Sequence, residues 1–513
     1  MGLALIPLCL IFLYLAYDLI QRFKYKLPPG PKSWPVIGNI YDVKPVQFRC
    51  FHEWAQTYGP IISFRLGSEC HVVVSNSELA KQVLMEQDQN LADRFRRSSS
   101  RMNKDGKDLI WADYGPFYVK VRKVCNLALF TPKKLEAHRP IREDEGLAMV
   151  EAIFNDCTSS ESKGKAMSIR NHTEIWAFNT ISRITFGKKY INSNGEEDPM
   201  ILKLKGVLHS RKVKSSNFSM LAEHIPWLRQ LLLSFDKQKK EVSNLDDKLD
   251  IILKDIIHEY VDVNSKDMKD VANQHFVHSL LAFKHEYDLG DDTICGLLWD
   301  MVIAGKDTIA IVVEWALAEL IRNPKVQKKA QEELDRVIGP ERKITEQDFS
   351  NLPYLQALVK ESLRLHPPTP LMLPHRAKAH VKIGGYDIPK GSVVHVNVWA
   401  LGRDPNVWQD VNEFKPERFL KEDVDIKGHD FRLLPFGAGR RICPGAQMGI
   451  NLLTLTLGHL LHHFDWYPPN GVRLDEIDMT EKPGVVTYMS TPLQVNVVPR
   501  LPTKLYKSLP TDL

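Results

Sequence analysis

Apolar residues follow three rhythms along this chain, and each predicts a different element. The first is a continuous run from Leu3 to Ile20, closed by Gln21-Arg22-Phe23-Lys24-Tyr25-Lys26 and then Leu27-Pro28-Pro29-Gly30-Pro31. The run approaches the roughly 20 residues that span a bilayer, so residues 1–21 are expected to form an N-terminal transmembrane anchor. Basic residues flank it only on the C-terminal side, which keeps that flank and all that follows in the cytosol. A cleaved signal peptide is the alternative, but no basic segment precedes the run and no small-x-small site follows it. Residues 22–35, basic and then proline-rich, are expected to be a stiff hinge between membrane and body.

The second rhythm is short and strand-like. Pro60 to Leu66 and His71 to Val74 predict two strands around a turn at Gly67-Ser68, and a second strand-rich patch lies at Val381 to Val398. Apolar residues spaced three and four apart with charges between them form the third rhythm, as in Val326 to Ile338 and Leu355 to Leu365, and predict amphipathic helices. Leu297 to Trp315 is apolar almost all round and predicts a buried helix. Polar stretches near 192–198 and 261–270 predict surface loops, and no internal repeat is present. Residues 36–513 therefore read as one domain, mainly α with a small β region.

Composition narrows the class. At 513 residues with 43% hydrophobic residues the chain can fill a large core. Its net charge of +5 is mild and not gathered into a stripe, which gives no case for nucleic-acid binding. The seven cysteines are scattered, odd in number and without a C-x-x-C pair, as expected in a reducing compartment rather than in a disulfide framework or zinc site.

One of them stands out chemically. Cys443 lies in Phe436-Gly437-Ala438-Gly439-Arg440-Arg441-Ile442-Cys443-Pro444-Gly445, ahead of a long apolar run. Glycines let backbone approach a flat macrocycle and aim N–H groups at a sulfur, and Arg441 can reach an anionic substituent of such a ring. A buried free cysteine is the bland alternative. In the apolar helix, Gly305 and the pair Asp307-Thr308 interrupt the pattern. A hydroxyl beside a carboxylate can deliver protons, Thr308 can bond the Ala304 carbonyl, and Gly305 permits a local opening of the helix. Glu361 and Arg364, three apart on one helix, share a face and can pair.

The Cys443 segment fits F-x-x-G-x-R-x-C-x-G at every fixed position and resembles the haem-binding loop of the cytochrome P-450 superfamily. Ala304-Gly305-Lys306-Asp307-Thr308 resembles that superfamily's oxygen-activating helix. The resemblance implies a haem-thiolate monooxygenase fold, haem b as cofactor, Cys443 as axial ligand of the iron, Phe436 and Arg441 at the haem, and Asp307 and Thr308 as catalytic residues. Glu361, Arg364 and Arg418 resemble its E-x-x-R and P-E-R-F elements and imply a structural ionic cluster. Tyr118 and Arg122 resemble its W-x-x-x-R helix, with tyrosine in place of tryptophan, and imply a propionate contact; Arg376, following His366-Pro367-Pro368, implies another. Electrons would come from NADPH through an NADPH-cytochrome reductase, with Lys120, Lys123, Arg440 and Arg441 a landing site for an acidic donor.

Over nearly the whole chain, segments such as Asp105 to Tyr114 and His429 to Pro435 resemble plant microsomal p-coumaroyl shikimate/quinate meta-hydroxylases. That implies oxygen insertion into a p-coumaroyl ester to give a caffeoyl ester in phenylpropanoid and lignin biosynthesis, at the endoplasmic reticulum membrane. Lys306, Ile309, Ser490 and the polar segment 209–219 depart from that pattern, in segments expected to line the distal pocket. Another p-coumaroyl conjugate, a hydroxyphenyllactate ester or an amine amide, is therefore the alternative substrate. A haem sensor or a haem-thiolate isomerase are the competing classes, and Asp307-Thr308 argues against both.

Overall fold

The computed structural model describes residues 24–96, 106–160, 165–189, 198–212, 237–263 and 275–507. The expected anchor, residues 1–21, lies outside them, and among the described residues no helix is long and apolar enough to cross a membrane. Most of the loop predicted at 192–198 also lies outside, whereas 261–263 end a helix.

The principal helices are α1 (Gln47–Tyr58), α2 (Pro116–Cys125), α3 (Arg139–Thr158), α4 (Ile169–Phe186), α5 (Lys237–Val263), α6 (Asp291–Arg322), α7 (Pro324–Val337), α8 (Pro353–Leu365) and α9 (Ala446–His463). α6 is the axis of the body. Asp291 and Asp292 in its first turn and Arg322 in its last complement the helix dipole. Between these ends nearly every side chain from Thr293 to Val302 and from Ile309 to Ile321 is buried, so it must be wrapped by other helices, chiefly α4 and α9. α7 and α8 match the amphipathic segments expected there, and each starts with proline in its first turn.

Gly305 does not open α6, which runs on as regular helix through that point. A Cβ there would come within 2.7 Å of Ile181 on α4, so the glycine permits close helix packing instead.

The β content is small, as expected. β1 (Ile61–Leu66), β2 (Glu69–Val74), β3 (Asp93–Arg94), β5 (His375–Arg376) and β8 (Val393–Val396) form one sheet in the order β1-β2-β8-β5-β3, parallel only between β2 and β8. β4 (Met167–Ser168), β9 (Phe464–Tyr467) and β10 (Gln494–Pro499) form a second, and β6 (Val381–Ile383) with β7 (Tyr386–Ile388) a hairpin. The proline-rich hinge is not a free spacer. Ser63 on β1 donates from N to the Pro29 carbonyl (2.8 Å) and from Oγ to that of Pro28 (2.6 Å), while Lys26 N donates to Asp387 (2.9 Å). Prolines leave carbonyls unused within their own segment, and the sheet edge supplies the donors.

Candidate active site

The loop before α9 is shaped by a close approach to the β-sheet side of the molecule. Gly439 has φ +66°, and a Cβ on it would fall 1.9 Å from the Leu84 carbonyl oxygen, so only glycine fits. Arg440 N donates to Asp88 Oδ2 (2.8 Å), and Cys443 N donates to the Phe436 carbonyl (2.9 Å), folding the loop back on itself. Cys443 is exposed to a cavity of about 300 Å³, within the usual range for ligand pockets. Burial pushes its thiol above the ordinary value, while the Gly445 N–H and Arg122 favour the thiolate. A cation at the sulfur tips that balance to the thiolate.

Above the sulfur, α6 presents Ala304, Gly305, Thr308 and Ile309 to the cavity. Thr308 Oγ1 donates to the Ala304 carbonyl at 2.7 Å, which keeps the hydroxyl on this face. Asp307 does not line the cavity. Its carboxylate takes Lys306 Nζ at 2.8 Å and a hydrogen bond from Tyr488. Lys306 is thereby engaged as well, so it does not reach the pocket as the sequence led one to expect. Ser490 is exposed and likewise outside the cavity, and of these departures only Ile309 lines it; most of 209–219 lies outside the described residues.

Cationic groups gather at one edge. Arg441 donates to the carbonyls of Ala92 (2.7 Å) and Ala112 (2.5 Å), and its guanidinium lies over the Tyr118 ring, 3.9 Å from the centroid. Its buried Nη1 has no hydrogen-bond acceptor. Arg94 donates to the carbonyls of Ile110 (3.2 Å) and Leu373 (2.8 Å), and burial followed by repulsion from Arg441 pulls it down to about 9. Neither arginine forms an ion pair with a described carboxylate. Arg122 donates to the Ile442 carbonyl (2.6 Å) and to Tyr118 Oη (3.3 Å), and Tyr118 donates its own proton to the Arg440 carbonyl (2.8 Å). Tyr118 therefore acts by carrying Arg441 and the loop, not by pointing a free hydroxyl into the cavity.

Arg376, expected to make a propionate contact, lies outside the cavity, which its neighbours line instead. Register pairs Asp93 with Arg376 and Arg94 with His375, and successive side chains of a strand face opposite ways. Arg94 and His375 line the cavity, whereas Arg376 bonds Asp113 Oδ2 at 2.9 Å outside it. His375 donates from Nδ1 to the Leu91 carbonyl (2.8 Å), and burial then Arg94 pull it down to about 3, so it is neutral. No periodicity marks a two-residue strand, so sequence offered no signal for Arg94 or His375.

Behind the loop, Glu361 and Arg364 are both 0% exposed. Arg364 donates from Nε and Nη2 to the two Glu361 oxygens (2.7 and 2.8 Å), and to the carbonyls of Gly402, Val411 and Glu413. Arg418 Nε adds a third bond to Glu361 at 3.2 Å. All three sit away from the cavity as a structural cluster.

These residues fit an iron porphyrin. A sulfur sits beside an apolar cavity, and two guanidiniums without an ion pair among the described residues, one with an orphaned N–H, suit an anionic ring substituent. The family model described as Cytochrome P450 matches residues 28–497. The chain is 60% identical to Cytochrome P450 98A2 of Glycine max over 100% of its own length and 99% of that relative's, and 54% identical to Cytochrome P450 98A1 of Sorghum bicolor over 99% and 98%. It is 36% identical to a flavonoid 3'-monooxygenase of Petunia hybrida over 98% and 99%. A zebra fish cytochrome P450 solved with abiraterone superposes with a TM-score of 0.73 at 25% identity, covering 89% of this chain and 99% of that one. The chain belongs to the cytochrome P450 family, as a haem-thiolate monooxygenase that carries haem b and takes its electrons from a reductase.

Proposed function

We propose that the chain hydroxylates the aromatic ring of a p-coumaroyl conjugate, meta to its side chain, with the shikimate or quinate ester as substrate and the caffeoyl ester as product. The balance is aryl C–H, O2, NADPH and a proton giving aryl C–OH, water and NADP+. The observation that carries this reading is the 60% identity to Cytochrome P450 98A2 over the whole chain, joined to the resemblance of segments such as Asp105 to Tyr114 to p-coumaroyl ester meta-hydroxylases. The 3'-monooxygenase name of the Petunia relative supports an aromatic ring as target.

When bound, haem supplies the activation of dioxygen. Cys443 would hold its iron, and Arg94, Arg441 and His375 would receive its propionates, with Tyr118 and Arg122 bracing them. Thr308 would hold a proton beside the reacting oxygen, its hydroxyl kept at the cavity by the Ala304 carbonyl. Asp307 is tied to Lys306 and Tyr488 and lies outside the cavity, so it would act on that proton through the Lys306–Tyr488 side and not by direct contact. Leu109, Ile110 and Ile309 would exclude water and leave an apolar slot for a phenolic ring.

Residues 1–21 as a membrane anchor, the endoplasmic reticulum as location with the body facing the cytosol, and Lys120, Lys123 and Arg440 as part of the reductase landing site belong to the same reading. The test is turnover in microsomes holding a plant reductase and NADPH, across p-coumaroyl esters and amides, with products resolved by mass. A caffeoyl shikimate or quinate product supports the reading. Turnover confined to hydroxyphenyllactate esters or amine amides transfers it to those conjugates, and no meta-hydroxylation of any of them refutes it.

A further inference from the structure

Residues 292, 296, 300, 304 and 308 lie four apart and so form one row of neighbours that winds around α6. Ala304 and Thr308 at the lower end face the cavity, and Asp300 reaches its upper edge. The upper half of the row carries the segment 107–112. Lys107 Nζ pairs with Asp292 Oδ2 at 3.2 Å. Asp108 sits over Gly296, where an added Cβ would lie 3.2 Å from the Asp108 Cβ. Asp300 Oδ2, on a residue 1% exposed, accepts the successive N–H groups of Leu109 (2.8 Å) and Ile110 (3.2 Å). Asp108 Oδ1 in turn accepts Trp111 N at 2.6 Å, closing the segment on itself. Leu109 and Ile110, the residues whose amides Asp300 holds, are themselves cavity wall.

We propose that Asp300 is a positioning residue for substrate: together with Asp108 it seats segment 107–112 on α6 and thereby sets Leu109 and Ile110 as the wall of the cavity above Thr308. Two adjacent amides on one carboxylate oxygen fix both position and rotation of the backbone, which a single apolar contact does not. The role concerns binding geometry, and no proton moves through Asp300 in the reaction.

The pair is also sensitive to charge. Burial and then the neighbouring Asp108 hold Asp300 well above the carboxylate range, and burial pushes Asp108 up to about 7. Facing them are Arg96 and Arg441 toward Asp108, Cys125 from α2 toward Asp300, and the Lys107–Asp292 pair at the outer end. For an acid whose folded value is raised, stability is full below its ordinary value and declines as pH rises to the folded one. The seat is thus firmest in acid and loosens toward pH 7, as negative charge enters the site.

The experiment compares the parent with Asp300→Asn, Asp300→Ala and Asp108→Asn as haem-loaded full chains, normalised by the reduced carbon-monoxide band. It measures p-coumaroyl shikimate KM and kcat at pH 6 and 8, and amide hydrogen exchange of residues 106–113. An asparagine oxygen still accepts both amides, whereas alanine leaves them bare. The expected result for Asp300→Ala is a KM raised about ten- to hundredfold with a far smaller change in kcat, and faster exchange at Leu109 and Ile110. Asp300→Asn restores slow exchange and keeps KM within about threefold, as expected when the carbonyl acceptor and not the charge matters. The parent KM rises from pH 6 to 8, and this rise flattens in Asp300→Asn and in Asp108→Asn. Unchanged exchange and KM in Asp300→Ala overturn the proposal, as does an Asp300→Asn variant as impaired as the alanine. The substrate arm rests on the function proposed above, whereas the exchange arm needs no substrate, so the two can fail separately. If Asp300→Ala does not assemble, the exchange and pH profiles of the two asparagine variants decide.

Discussion

Arg364 gives the sharpest test of how this body is held together. It places five hydrogen bonds, three on buried acceptors, the two Glu361 oxygens and the Gly402 carbonyl, and two on the partly buried carbonyls of Val411 and Glu413. Arg364→Lys keeps the charge but has only three N–H groups on one atom. At least two acceptors lose their donor, at up to about 1–3 kcal/mol each where they are buried, so the loss is at most roughly 2–6 kcal/mol. Arg364→Ala strands Glu361 with only Arg418 and the Lys415 N–H, and breaking a buried ion pair costs about 3–5 kcal/mol before the three carbonyls are counted. Set against a net stability of about 5–15 kcal/mol for a folded protein, the alanine variant is at the edge of folding and the lysine variant is not. The assay is the reduced carbon-monoxide band per unit of protein, with the unfolding rate of whatever assembles. Arg364→Lys should load haem partly, unfold faster, and turn over normally per haem. Arg364→Ala should load almost none. Full loading and a parental unfolding rate in Arg364→Ala would refute the reasoning, because the fork of bonds would then be dispensable.

Cys443→Ala should abolish the far red-shifted Soret band of the reduced carbon-monoxide form, and a surviving band would assign the thiolate elsewhere. Thr308→Ala should lower product formed per NADPH by about tenfold or more, with hydrogen peroxide released in its place; unchanged coupling would place the proton with Asp307 or with water. Because Ser490 is exposed and outside the cavity, Ser490→Arg should leave the ratio of products from shikimate and amide conjugates unaltered, and a marked shift toward shikimate would show that residue 490 reads the acceptor. His463 is buried, and burial pulls it down to about 3, so the folded protein binds fewer protons than the unfolded one below the ordinary value near 6.5. Its contribution is therefore complete above pH 6.5 and lost as pH falls toward 3. The thermal midpoint should drop across that window, with a shallower slope in His463→Asn, and identical slopes would exclude the residue.

How far the sequence reached depended on the range of the interaction. Periodicity is local, so α7, α8 and the strands β1 and β2 were legible within a residue or two. The Cys443 loop was legible because its glycines and arginines are close in sequence to the thiol they surround. Asp307 looked like a carboxylate for proton delivery, since nothing local shows that Tyr488 arrives from the far end of the chain to bind it. Arg376 looked like the propionate contact. Which of His375 and Arg376 turns inward is settled only by pairing with Asp93 and Arg94, because a strand of two residues has no periodicity to read.

By itself, then, the sequence determined the class of most elements among the described residues, the mainly α body with its small β region, the family, and the loop that carries the candidate thiol. These follow from spacing and side-chain type, which need no partner. The tertiary structure alone decided facing and partnership. It turned Arg94 and His375 inward, engaged Lys306 and Asp307 with each other, laid the proline segment on β1, pressed Ile181 against Gly305, and hung segment 107–112 from Asp300. Each of these joins groups that are adjacent in space and mostly remote in sequence, and a buried polar group reveals its role only when the group that satisfies it is in place.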